Sequence, residues 1–103
     1  MQNDQEFIHI VMVDIEPEHE EAFSQWYVEH HFPDLLGCPG WLSAQRLQNM
    51  GEGQKYAAMY RVAGQWAFET EEFHKVKGFG PFEPHVRNFR RLQLRPISEV
   101  ATA

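Results

Sequence analysis

The segment EFIHIVMVD, residues 6–14, constrains this chain more than any other, because it is apolar on both parities. Successive side chains of a strand point to opposite faces of its sheet. Ile8, Ile10 and Met12 therefore share one face, while Phe7, Val11 and Val13 share the other. The segment from Lys55 to Val62 repeats the pattern, with Tyr56, Ala58 and Tyr60 opposed by Ala57 and Met59. An antiparallel sheet with one solvated face alternates apolar and polar residues, and these strands do not. Both faces of the sheet must be covered. Helices of the same chain can cover one; a second copy of the sheet is the simplest cover for the other, so a homodimer is expected.

The remaining elements follow from periodicity and punctuation. Asp14 stands near Pro17, which suits a first helical turn, and Glu16, Glu18, Glu20 and Glu21 lie where a helix dipole favours negative charge. Ala22, Phe23, Trp26, Tyr27 and His30 recur at helical spacing and give one apolar face. Pro33 ends or bends this helix, and Pro39-Gly40 turns the chain into a second strand, Trp41 to Gln48. A loop over Asn49–Gly53 leads to the third strand, Lys55 to Val62. A second helix is expected from Gln65 to Lys77, with Trp66, Phe73 and Val76 turned inward. Glycines and prolines make residues 78–84 irregular, Val86 to Ile97 forms the last strand, and Ser98 to Ala103 is expected to be a frayed tail. The order is βαββαβ. That is the ferredoxin-like pattern, an α+β fold of four antiparallel strands with both helices on one face.

A chain of 103 residues is expected to form one domain, and 43% hydrophobic residues are enough to build its core. The apolar runs fall far short of the roughly 20 residues that span a bilayer. No export signal opens the sequence and one cysteine, Cys38, permits no internal disulfide, so the cytoplasm is the expected location. A formal charge of -6 argues against nucleic acid as a partner. The charge is also segregated. Residues 14–34 hold seven acids and no Lys or Arg, whereas residues 75–95 hold six basic residues against Glu83 alone. Such a distribution either steers an anionic ligand to the C-terminal segment or pairs an acidic helix face with a basic strand.

Chemistry concentrates in Trp26-Tyr27-Val28-Glu29-His30-His31-Phe32-Pro33-Asp34, ahead of Cys38-Pro39-Gly40-Trp41. Histidine is the side chain whose ordinary pKa lets it exchange protons near neutrality. Neighbours on a helix diverge by about 100°, so His30 and His31 cannot share one site. His30 continues the Phe23–Trp26 stripe and reads as a packed histidine. His31 lies in the last turn, where the dipole favours the imidazolium and burial favours the neutral ring. His9 shares a parity with Phe7 and Val11 and needs a partner or a use. Tyr60 and Arg61 face opposite ways, so one of them can join a given cavity. His85 stands in the loop before the last strand, which can cover a pocket mouth. Glu29, His30, His31 and Asp34 are clustered, but adjacent helical residues do not converge on a metal, so no metal is expected. Cys38, in a Gly-Cys-Pro-Gly turn without a nearby cation, reads as a small turn residue.

The segment from Trp26 to Arg46, W-Y-V-E-H-H-F-P-D-L-L-G-C-P-G-W-L-S-A-Q-R, resembles the EthD-like family of the dimeric α/β-barrel superfamily. The family's His-x-Pro falls on His31 and Pro33, and its Pro-Gly turn on Pro39-Gly40. The resemblance implies a ferredoxin-like protomer that pairs sheet to sheet and holds a cavity between helices and sheet. Members of the superfamily include cofactor-independent isomerases, cyclases and monooxygenases, haem-degrading enzymes and proteins without known activity. Haem-degrading relatives carry an axial histidine where His74 stands, with an Asn on the first strand and a Trp on the third. Here those strands offer His9 and Tyr60, so His74 is expected to face solvent.

The expectation is therefore a cofactor-independent enzyme acting on a small aromatic or cyclic oxygenated metabolite. His31 would be its general acid/base, with His9 and Tyr60 as partners and Asp34 as an orienting acid. Trp26, Tyr27, Trp41, Phe79 and Phe82 would wall the pocket, with His85 at its mouth. A non-catalytic ligand-binding or stress-response dimer is the alternative, followed by a monooxygenase that is cofactor-independent or of the haem-degrading type.

Overall fold

A computed structural model describes residues 5–103. Four strands, β1 (Phe7–Ile15), β2 (Trp41–Gln48), β3 (Tyr56–Val62) and β4 (Val86–Leu94), form one antiparallel sheet in the order β2-β3-β1-β4. This is the α+β, ferredoxin-like arrangement expected from the βαββαβ order. The two-sided apolar strands, β1 and β3, lie at its centre. On the helix side, Phe7, Val13, Ala58, Tyr60 and Val62 are buried in the core. On the other side Ile8, Ile10, Met12, Met59 and Leu92 form an apolar surface that nothing in the protomer covers completely.

The first helical run departs from regular α geometry in an informative way. It passes from α1 (Glu20–Trp26) through a π-helical turn (Tyr27–His31) into α2 (Phe32–Leu36). Phe23, Tyr27, His31 and Leu35 are all buried, each four residues after the last. In a straight α-helix a strict four-residue spacing drifts by about 40° per step, or about 120° across this set. The wider turn, in which the Phe32 N–H reaches the Tyr27 carbonyl, takes up that drift. It also accommodates Pro33, whose missing N–H and bulky ring would disrupt a regular i→i−4 ladder. Pro33 therefore does not end the helix, and the inward stripe moves from His30, which is exposed, to His31.

Two other elements differ from expectation. The segment 65–77 is not one helix: a 3₁₀ turn (Gln65–Phe68) is separated from α3 (Glu71–Val76) by Thr70, whose hydroxyl accepts the Phe73 N–H at 3.1 Å. Thr70 caps α3 and Glu71 and Glu72 complement its dipole, so the local optimum is a fresh start at Thr70. Trp66 is exposed rather than turned inward. The last strand stops at Leu94, short of Ile97. It also carries a bulge opposite Val13, where Asn88 adopts a positive φ of 58°. Asn tolerates that conformation better than most residues, and its side chain donates to Asp14 Oδ2 at 2.8 Å.

The Pro39-Gly40 turn is tight for a packing reason. Gly40 has φ +88°, and a Cβ there would lie 2.7 Å from the Ala67 Cβ and 2.8 Å from the Trp66 ring. No helix is long and apolar enough to cross a membrane among the described residues.

Candidate active site

The helical face of the sheet, the α1–α2 run and the segment from Gln65 to Phe79 enclose a cleft of about 680 Å³. That volume suits a small organic ligand. His9, Tyr27, His31, Trp41, Tyr60 and Phe79, all singled out from the sequence, line it together.

His31 enters from the π turn. Its ring stacks on Trp26 at 4.6 Å and meets the edge of Tyr27 at 5.1 Å. It is 6% exposed, and burial holds its pKa down at about 4, with the charge of Asp34 pulling weakly the other way. His9 reaches the same cleft from β1, packed edge-on against Phe68 at 5.0 Å and beside Tyr60 at 5.9 Å. Burial, reinforced by the nearby Arg91 guanidinium, also lowers its pKa to about 4. Its Nδ1 lies 3.4 Å from Gln93 Nε2, a long contact in which the amide donates to the ring nitrogen. Both rings are neutral at pH 7, and each can accept a proton.

Two phenols complete the inner wall. Burial raises the pKa values of Tyr27 and Tyr60, that of Tyr27 to about 12. Each phenol keeps its proton at neutral pH and can donate it to a ligand oxygen. Behind them the Arg46 guanidinium lies over the Tyr27 ring at 4.5 Å and the Tyr56 ring at 5.1 Å, placing a cation behind the pair. Trp41 is fixed by its indole N–H, which donates to the Ala67 carbonyl at 3.2 Å.

The mouth is charged. Arg91 from β4 and Lys77 after α3 line it together with Glu83, and neither cation forms an ion pair among the described residues. Elsewhere the acidic and basic segments do pair, Arg87 with Glu16 at 2.6 Å, and Lys55, outside the basic segment, pairs with Glu20 at 2.9 Å. The pairing of the acidic segment with the basic one is thus seen at Glu16 and Arg87.

Several expectations need correction. Asp34 is exposed and does not line the cleft; only its field reaches His31, because α2 carries it to the solvent side. Trp26 and Phe82 pack behind the site, 5.7 Å from one another, and do not line it. His85 is not at the mouth. It sits at the far end of the 3₁₀ turn Gly80–His85, where its Nδ1 contacts Glu16 Oε1 at 2.7 Å. His74 is exposed, as expected, and also borders the cleft. Glu29, His30 and Asp34 are exposed while His31 is buried, so that cluster diverges as expected. The Cys38 thiol is buried, donates to the Asp34 carbonyl at 3.3 Å and is pushed up in pKa by burial, as befits a structural cysteine. Sequence reasoning missed Phe68, Arg91 and Gln93. Arg91 had a signal in the basic C-terminal segment; the bulge at Asn88 that aims it inward had none.

These features define a ferredoxin-like α+β protein with an aromatic, imidazole-lined cleft. Solved structures share that fold. A DABB family protein with a ferredoxin-like fold from Mesorhizobium loti superposes with a TM-score of 0.71 at 11% identity, over 90% of this chain and 98% of that one. An EthD family protein from Bacillus halodurans gives 0.60 at 14% identity, over 82% and 95%. A variant of MhuD with two manganese protoporphyrin IX molecules bound per active site gives 0.72 at 13% identity, over 93% and 99%. The EthD-like fold inferred from the Trp26–Arg46 motif is therefore the fold found, and identities this low speak to fold alone. No protein-family model matches the sequence, and no curated protein matches it.

Proposed function

We propose that this protein is a cofactor-independent acid/base enzyme, of isomerase, dehydratase or cyclase type, acting on a small aromatic or cyclic oxygenated metabolite that carries an acidic group. The observation that carries this reading is the pair of buried neutral imidazoles, His9 and His31, opening on one aromatic cleft with cations at its mouth. The acidic group of the substrate meets Arg91 and Lys77, and its ring lies against Trp41, Phe68 and Phe79. A bound anion supplies the opposite charge that the buried imidazoles lack, so it raises their pKa values from about 4 toward the neutral range. His31 takes a proton from the substrate and returns it at a second position. His9 assists as its partner, and the Tyr27–Tyr60 pair donates to the oxygen on which charge develops. The outer sheet face with Ile10 and Met59 supports a homodimer, and the cytoplasm suits the single thiol. The chain acts as one domain through residue 103, with a tail from Ser98.

The test uses metabolite pools. Aromatic and alicyclic keto acids and phenolic acids are incubated with the protein in deuterated water, and exchange of carbon-bound hydrogen is followed by NMR. Exchange catalysed by wild type and reduced at least about 10²-fold by His31→Gln supports the proposal. Saturable binding without exchange favours the non-catalytic binding or stress-response dimer. No binding of any acid refutes the substrate class.

One observation favours a second reading, the monooxygenase. His74 is an exposed imidazole on the cleft wall, and it is the residue that would hold the iron of a haem bound there. The fit is incomplete, because the inner wall presents His9 and Tyr60 where haem-degrading relatives carry Asn and Trp. Haemin titration separates the readings: a Soret shift that is stoichiometric and lost in His74→Ala supports haem, and its absence supports the acid/base enzyme.

A further inference from the structure

Away from the cleft, three ligating side chains converge where the chain leaving β1 meets the chain entering β4. Glu16 precedes the short turn Pro17–His19, and the His19 N–H bonds the Glu16 carbonyl at 2.9 Å. That turn brings residues 16 and 19 to one face. His85 arrives from the end of the turn Gly80–His85, and its carbonyl accepts the Glu16 N–H at 3.2 Å. The backbone thus fixes the two segments against each other before any side-chain contact is counted.

The side chains then meet at one point. The His19 and His85 rings stack with centroids 3.7 Å apart and planes 27° apart. Both direct a nitrogen at the same carboxylate oxygen: His85 Nδ1 is 2.7 Å from Glu16 Oε1, and His19 Nε2 is 3.8 Å from it. The three ligand atoms lie within 4.8 Å of one another. Tetrahedral zinc, about 2.1 Å from each ligand, needs them roughly 3.4 Å apart. Small χ rotations at three half-buried side chains supply the difference.

From this geometry we propose that Glu16, His19 and His85 form a zinc site, with water completing the coordination. Two imidazoles and one carboxylate are a ligand set that zinc uses in open, three-ligand sites. The surroundings suit that role. Arg87 donates through Nη2 to the other carboxylate oxygen, Oε2, at 2.6 Å and through Nη1 to the Pro84 carbonyl at 2.8 Å. It leaves Oε1 as the single oxygen offered to a metal, the orienting task of an outer-shell partner. Zinc here fastens the turn Gly80–His85, whose Glu83 and preceding Phe79 line the cleft, to the end of β1. The site lies outside the acid/base machinery and does not depend on it.

The test is metal binding by the full chain, free of affinity tags that hold histidine. Zinc is titrated against a competing chromophoric chelator, and Co²⁺ is used as a spectroscopic probe. The expected result is one Zn²⁺ per chain, visible Co²⁺ bands of tetrahedral intensity, and a thermal midpoint that rises with zinc. His19→Ala and His85→Ala should weaken binding at least about tenfold, whereas His30→Ala, an exposed histidine elsewhere, should leave it unchanged. If His85→Ala fails to fold, His19→Gln decides, because His19 lies in a surface turn. Sub-stoichiometric binding, octahedral Co²⁺ spectra, or equal losses in His30→Ala and His19→Gln would overturn the site.

Discussion

Two imidazoles buried without an acidic hydrogen-bond partner make acid stability the sharpest physical consequence of this fold. Each ring has an ordinary pKa of 6.5 in the unfolded chain and about 4 in the native protein. A native pKa lower than the unfolded one means that the unfolded chain binds more protons between these values. Stability is therefore fully present above pH 6.5 and lost as pH falls toward 4. Between pH 7 and pH 4.5 each ring withdraws about 2–3 kcal/mol, and the two together about 5 kcal/mol. That is comparable with the whole stability of a marginal domain, about 5–15 kcal/mol. The slope should be about 2 kcal/mol per pH unit between pH 6 and 4.5, and about 1 in either His9→Gln or His31→Gln. Urea unfolding at fixed protein concentration, with the m-value checked for constancy, measures it. The carboxyls of Glu6, Asp14, Glu16 and Glu20 are held low by hydrogen bonds and act with the same sign, but below about pH 4.5. A midpoint that stays flat from pH 6.5 to 4.5, or either ring titrating near 6.5 by NMR, would refute the argument.

Other consequences can be checked separately. Gly40→Ala forces a Cβ into Ala67 and Trp66 at a positive φ, and should cost at least about 2 kcal/mol by chemical denaturation. Ile10→Asp, on the outer sheet face, should halve the mass seen by light scattering if that face joins two copies, and leave it unchanged if the protein is already monomeric. Thr70→Ala removes the cap of α3 and should destabilise by about 1 kcal/mol, measurable as a lowered urea midpoint. Arg91→Gln removes a cation beside His9, so the pKa of His9 should rise by NMR while binding of aromatic acids weakens.

What could be read in the sequence was whatever obeys a fixed period. Strand parity is strictly two, so Ile8 and Phe7 could be placed on opposite faces, His9 with Phe7 and Val11, and Tyr60 opposite Arg61. The helical stripe failed at the point where its period changed. Arithmetic at 3.6 residues per turn selects His30, and the i→i−5 bond at Phe32 selects His31. Pro33 was visible as a disturbance, but its accommodation by a wider turn is a tertiary outcome of burying Tyr27 and Leu35 together. Thr70 followed by two glutamates was a capping signal overlooked in favour of a longer helix. Asp34 was misplaced because nearness in sequence to His31 says little about direction once the helix continues.

The bulge at Asn88 acts on β4 as an inserted letter acts on a reading frame. Continued without it from the Ile15–Val86 pair, the strand would oppose Leu92 to His9 and turn Arg91 and Gln93 outward. With it, the cleft receives a guanidinium and an amide, and the outer surface receives Leu92 and Leu94. One residue in the left-handed region thus sets the polarity of two surfaces at once. Deletion of Asn88 would exchange them together, so the cleft and the outer face of β4 cannot be altered independently by changing the length of this strand.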